Sequence, residues 1–235
     1  MPFFETVSTP VRNAVAGIGS AFVGVALAII WVARLSVDRP IYVSGLGAHS
    51  EPTAGWFEFA LLLLVAGGFM VSWVTKGLRS TAALLRLWTP SLSVAIASSL
   101  FLVASQVPCT TGCPLPVGPT FTWQDLIHTT VAVLAFAFAA LAMLQTSFVS
   151  GHTTLRRLSL GAGIATALVA AAGGILSLLQ FRTDIGSMLE LVATTIGMGW
   201  LIIFGLATAL SPETRAEART AHRLAAMPEL AAARP

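Results

Sequence analysis

Three acids and one histidine are the residues of this 235-residue chain best suited to chemistry. Glu58, Asp125 and Glu190 each lie close to the start of a long apolar segment. His128 follows Asp125 by one helical turn in the stretch FTWQDLIHTTVAVLAF, residues 121–136. Carboxylates and imidazole are common metal ligands and general bases. An ionisable group inside a membrane segment marks a functional site by default. With His49, Arg182 and Asp184, these residues are the set that an outward-facing, lipid-directed membrane hydrolase would need. Asp125 and His128 share one helix face at i, i+3, so the carboxylate could hold the imidazole.

A second explanation covers the acids alone. A helix N-terminus presents unpaired N–H groups and a partial positive charge. Three residues before each acid stands a candidate N-cap: Gly55, Thr122 and Ser187. Thr122-x-x-Asp125 and Ser187-x-x-Glu190 have the form of capping boxes. Because one explanation serves all three positions, capping is the preferred reading and no catalytic residue is assigned. His128 falls outside it and is expected to hydrogen-bond between helices. His49 lies in a loop, His152 in a polar turn and His222 in the tail.

Other chemistries fail on counting. A bis-histidine haem needs two facing intramembrane histidines, and a retinal Schiff base needs an intramembrane lysine. The sole lysine, Lys76, falls in a loop. Neither a phosphate-binding glycine loop nor a G-x-S-x-G elbow is present. No pair of broken helices suggests the inverted repeats of a transporter. No cofactor and no metal site is expected.

The elements that would position these residues follow from composition. The chain is 56% hydrophobic and 10% charged, with a mean hydropathy of +0.84. A soluble domain carries about 25% charged residues, so this sequence needs lipid as its solvent. A spanning helix takes about 20 apolar residues. Six apolar segments stand out, at 13–33, 56–75, 89–107, 123–147, 158–180 and 188–210. They are continuous and rich in Ala, Leu and Gly, which disfavours alternating barrel strands. The first is too long for a signal-peptide core and is read as a retained span. The expected fold is all-α, a six-transmembrane-helix bundle occupying residues 1–211. Small-residue spacings at Gly17/Ala21, Ser20/Gly24/Ala28 and Gly163/Ala167/Ala171 suggest faces where helices approach closely.

Six crossings place the N-terminus, the second and fourth links and the tail on one side. That side holds Arg12, Lys76, Arg79, Arg86, Arg156, Arg157, Arg215, Arg219, Arg223 and Arg234. The other holds Arg34, Arg39 and Arg182. The positive-inside rule then puts both termini in the cytoplasm, in a bacterial inner membrane. The net charge of +3 therefore reads as an orientation signal and not as a nucleic-acid surface. Trp31, Trp56, Trp73, Trp88 and Trp123 fall near segment ends, where indoles favour the headgroup region. Trp200 falls inside the last segment and is expected to pack between helices.

Cys109 and Cys113, the only cysteines, lie in VPCTTGCPLPVGP on the outer side. Structural zinc takes four ligands, and redox pairs usually have two intervening residues. A disulfide closing a small loop is the preferred reading. In the tail, residues 212–235, Ser211-Pro212 starts a short helix whose Arg215, Arg219 and Arg223 form a basic stripe, facing lipid headgroups or, as an equal alternative, solvent.

Ser44-Gly45-Leu46-Gly47, Trp56-Phe57-Glu58 and the run from Pro108 to His128 together resemble the bacterial six-helix membrane proteins grouped as domain of unknown function 998. Gly45 stands where that pattern has an acid, and Glu58 where it has an amide. The resemblance implies a six-helix fold and supplies no activity. The expected function is a non-catalytic integral membrane protein that binds lipid or protein, an accessory subunit of a larger membrane complex being one form. The hydrolase and a small secondary transporter are the alternatives. Membrane lipids, and possible further membrane subunits, are the expected partners.

Overall fold

The computed structural model describes residues 9–114 and 118–209. Within them the chain is helical, without named strands. Six long helices follow one another: α1 Thr9–Leu35, α2 Ala54–Val74, α3 Pro90–Gln106, α4 Trp123–Thr146, α5 Thr153–Leu178 and α6 Thr183–Ala209. The basic stripe at Arg215, Arg219 and Arg223 lies outside the described residues.

Five of the helices are long and apolar enough to cross a membrane. The exception, α3, has 17 residues, about 25 Å of helix at 1.5 Å per residue and at the short limit for a span. Its place in the bundle is nevertheless that of a crossing helix. The link before it meets the link after α4 at one end, where Thr81 N–H donates to the Phe148 carbonyl at 2.9 Å. The link after it meets α4 and the α1–α2 link at the other end, where Thr110 N–H donates to Asp125 and Cys109 Sγ lies 3.5 Å from the Ser44 carbonyl oxygen. Sequential helices pack as neighbours, and α1 also packs on α6, which closes the ring.

Charge sorts between the two ends. Asp38, Glu51, Glu58, Asp125, Asp184 and Glu190, all the acids among the described residues, gather at the end that carries the α1–α2, α3–α4 and α5–α6 links. The opposite end carries Arg12, Lys76, Arg79, Arg86, Arg156 and Arg157 and, among the described residues, no acid.

Each helix is positioned by its small and apolar face. In α1 the buried residues Ala16, Gly19, Ser20, Val23, Ala26, Ile30 and Ala33 recur at three- and four-residue steps, as one packed face requires. Gly19 and Gly67 bring the backbones of α1 and α2 into close contact. A Cβ on Gly67 would lie 2.6 Å from the Gly19 carbonyl oxygen, so only hydrogen fits between α1 and α2. The small-residue spacings expected from sequence only partly locate these contacts. Ser20 does face a neighbour: a Cβ on Gly205 would meet its Oγ at 3.0 Å. Gly17, in contrast, has nothing within 4 Å, and Ala21, Ala28, Ala167 and Ala171 are exposed.

Outer faces carry exposed Val25, Phe59, Phe69, Val133, Leu168 and Ile203, side chains that lipid tolerates and water does not. Trp56 and Trp123 are largely exposed at helix ends, as an interfacial role requires. Trp31 differs, because its Nε1–H donates to Thr195 Oγ1 on α6 at 3.1 Å. Trp200 is buried, stacked on Phe204, and donates to Ser159 Oγ at 2.9 Å.

Candidate functional site

Asp125 begins α4 as expected. Thr122 is the N-cap, with extended backbone, and its Oγ1 accepts from Asp125 N–H at 3.0 Å. The carboxylate does more than answer the helix terminus. It accepts from Thr122 Oγ1 at 2.5 Å, from Thr110 N–H at 2.8 Å and from Thr110 Oγ1 at 2.7 Å. Asp125 is fully buried. It ties the link that carries both cysteines to the helix that carries His128.

The other two caps differ from the sequence expectation. α6 starts at Thr183, five residues before the apolar run at 188. Ser187 is therefore inside the helix, where its Oγ donates to the Asp184 carbonyl at 2.9 Å. Asp184 is the first-turn acid, and it pairs with Arg182 in the open. Apolar patterning missed this turn because its side chains are polar. Glu190, two turns in, accepts from Val43 N–H at 2.6 Å and Ser44 N–H at 3.4 Å. It thus serves the start of a 3₁₀ turn, Ser44–Gly47, in the α1–α2 link, not its own helix. No basic side chain pairs with it among the described residues. For α2 the N-cap is Thr53, not Gly55, and its hydroxyl donates to the Leu46 carbonyl at 2.8 Å. Glu58 lies beyond the first turn and is exposed.

His128 is buried, 3% exposed. It does not pair with Asp125. Its Nδ1 lies 2.7 Å from the Val107 carbonyl oxygen. A carbonyl can only accept, so Nδ1 carries a proton, and in the neutral imidazole Nε2 is then the acceptor. Nε2 is buried and has no hydrogen-bond partner among the described residues.

Two adjoining spaces open beside this imidazole. The inner one is a cavity of about 100 Å³ lined by residues of all six helices. Its walls are apolar, with Phe57, Leu61, Phe101, Phe136 and Met198 prominent. Polar groups are few: Ser44, Ser98, His128, Thr166, Glu190 and Thr194. Thr166 is 2% exposed, and its Oγ1 is a second buried atom with no partner among the described residues. The outer space, about 80 Å³, is lined by His49, Glu58, Ser105 and His128 among others. Phe57, Leu61, Ala104 and His128 line both spaces, so His128 stands where they meet.

The site therefore joins His128 to Glu190 on its inner side and to Glu58 on its outer side, and leaves Asp125 outside. His49, set aside from sequence as a loop residue, lies at the outer mouth. Thr166 gave no sequence signal, because a threonine in an apolar helix usually bonds its own backbone, as Thr146, Thr195 and Thr208 do here.

Cys109 and Cys113 are bonded to one another, with Cα atoms 5.0 Å apart. Between them Gly112 at φ +80° and the Cys113 N–H to Thr110 carbonyl bond make a tight turn. A positive φ at that third position is what favours glycine there.

The class this architecture defines is an apolar, all-helical bundle of the kind that sits in a membrane, with an interior cavity that shares His128 with a smaller space at its acidic end. Comparison with protein-family models, with characterised proteins and with solved structures found no match to the chain.

Proposed function

We propose that this protein is a multi-pass membrane protein that binds a small hydroxyl-bearing lipophile, or the head end of a lipid, inside its helix bundle. One observation carries the reading: His128 Nε2 and Thr166 Oγ1 have no hydrogen-bond partner among the described residues, and both residues line a cavity walled by all six described helices. Burying a polar atom without a partner costs about 1–3 kcal/mol, a cost that a ligand hydroxyl would relieve. The neutral imidazole offers an acceptor at Nε2, and the threonine offers either role. The rest of the wall is apolar, so the ligand body is hydrocarbon. The inner space is somewhat smaller than the roughly 150 Å³ void that admits one benzene ring. A short alkyl segment is the part that fits it.

The mouth lies at the acidic end. By the positive-inside rule the basic end, with both termini, faces the cytoplasm. Ligand then enters from the outer leaflet of a bacterial inner membrane. Binding without turnover is favoured over hydrolysis, since Asp125 is spent on Thr110 and Thr122 and no carboxylate orients His128 among the described residues.

Native mass spectrometry of protein purified in mild detergent tests this. The parent chain should retain a lipophilic molecule. Ala97→Leu, which fills the cavity, should lose it, and His128→Ala or Thr166→Val should retain less. A parent chain that carries nothing, together with an Ala97→Leu variant more stable than the parent, would show a dry packing void and end the proposal.

A further inference from the structure

We propose that Cys109, Cys113 and His128 form a Cu(I) site when the disulfide is reduced. The two Sγ atoms and a ring nitrogen of His128 already lie within 4.8 Å of one another. This juxtaposition is tertiary: the cysteines belong to the α3–α4 link and the histidine to the second turn of α4. Asp125 enforces it by holding Thr110, the residue next to Cys109, against the first turn of the same helix.

His128 is set up as a ligand. Its Nδ1–H donates to the Val107 carbonyl, which fixes the tautomer and the ring plane. Metal-bound imidazoles commonly donate their second nitrogen in this way. The other nitrogen, Nε2, is buried and unpartnered among the described residues. Thiolates are soft donors that select Cu(I) or zinc, and imidazole suits both metals. Donor number favours Cu(I), because zinc held by three protein ligands still needs a fourth, a water in catalytic sites. Zinc in structural sites takes four ligands, and no fourth His, Cys, Asp or Glu joins this group among the described residues. Asp125 is fully engaged by its threonines. Cu(I) is satisfied by three such donors.

Reduction opens the site. An incoming dithiol attacks Cys113 Sγ, the partly exposed sulphur, and Cys109, buried, leaves as thiolate. The second thiol of the donor then displaces Cys113. The donor departs as a disulfide, having passed two electrons and two protons to the pair. Cu(I) binding returns those two protons to solvent as both sulphurs become thiolates. The site is thus closed to metal in the oxidised chain and open in the reduced one. Metal and a ligand hydroxyl would exclude one another at His128 Nε2, but the titration below needs no ligand in the cavity, so it and the mass measurement above stand or fall separately.

The test is anaerobic titration of phosphine-reduced protein in detergent with Cu(I), in competition with a chromophoric chelator. Reduced parent protein should take up one Cu(I) per chain, and the oxidised parent none. Cys109→Ser with Cys113→Ser should abolish uptake, and His128→Ala should weaken it at least tenfold. X-ray absorption of the loaded parent should show two sulphur neighbours and one nitrogen. Comparison of oxidised with reduced parent needs no variant, so a misfolded mutant does not decide the matter. No stoichiometric uptake, equal uptake by the oxidised chain, an unchanged His128→Ala affinity, or preferential binding of zinc would each overturn the assignment.

Discussion

Replacing Asp125 tests whether its carboxylate is an anchor or a reagent. In the anchor account it accepts three hydrogen bonds, from Thr122 Oγ1, Thr110 N–H and Thr110 Oγ1. A hydrogen bond to a charged acceptor is worth about 1.5–3 kcal/mol, and an abandoned buried donor costs about 1–3 kcal/mol. The two hydroxyls can rotate to other acceptors once the carboxylate is gone. The Thr110 N–H cannot, because the Cys109–Cys113 disulfide and the turn closed by Cys113 N–H and Thr110 O hold the backbone on either side of it. The cap itself survives, since Thr122 Oγ1 still accepts from the residue 125 amide. Asp125→Ala should therefore cost about 3 kcal/mol, the fixed amide plus part of the hydroxyl contribution. Asp125→Asn keeps a carbonyl oxygen for Thr110 N–H and should cost about half as much. Unfolding in mixed micelles of graded denaturing detergent, followed by circular dichroism, measures both differences. If Asn proved as damaging as Ala, charge and not hydrogen-bond geometry would be the important property. If Ala proved neutral within about 0.5 kcal/mol, typical of a surface position, the anchor account would be refuted.

Two further outcomes follow from the same contacts. Gly67→Ala should be strongly destabilising, about 3 kcal/mol or more, because the added methyl meets the Gly19 backbone at 2.6 Å and two helices must part. Gly17→Ala, with open space around it, should be neutral or slightly stabilising in the same micelle assay. Glu190→Ala should abandon the Val43 and Ser44 amides and loosen the α1–α2 link, read as faster hydrogen exchange over residues 41–48. Glu190→Gln, which keeps an acceptor, should exchange close to the parent. Identical exchange in the Ala variant would mean that the bonds to Glu190 do not hold that link.

Helix number, and the sorting of charge to two ends, were legible in the chain because they depend on composition summed over about 20 residues. Thr122 as the cap of α4 was legible because a cap is a local hydrogen bond across three residues. The polar first turns of α5 and α6 were not, since hydropathy ignores a helix that starts before its apolar run. The chain therefore misassigned Ser187 and Glu190 together. The small-residue faces were only partly legible: many spacings in an Ala- and Gly-rich helix look alike, and the neighbouring helix selects one. Gly19 against Gly67 is that selection, and Gly17 is its rejected neighbour.

The sequence by itself determined that this chain is an all-helical bundle suited to lipid, with its acids early in the helices that start at one end. Both properties are sums or short-range patterns, so they need no knowledge of distant residues. Only the tertiary structure decided what those acids and His128 do. Asp125 turns to Thr110, 15 residues earlier, and Glu190 turns to Val43, 147 residues earlier. His128 turns to Val107 and comes within 4.8 Å of both cysteine sulphurs. A buried polar atom takes whichever partner packing brings within about 3 Å, and packing is a property of the folded chain.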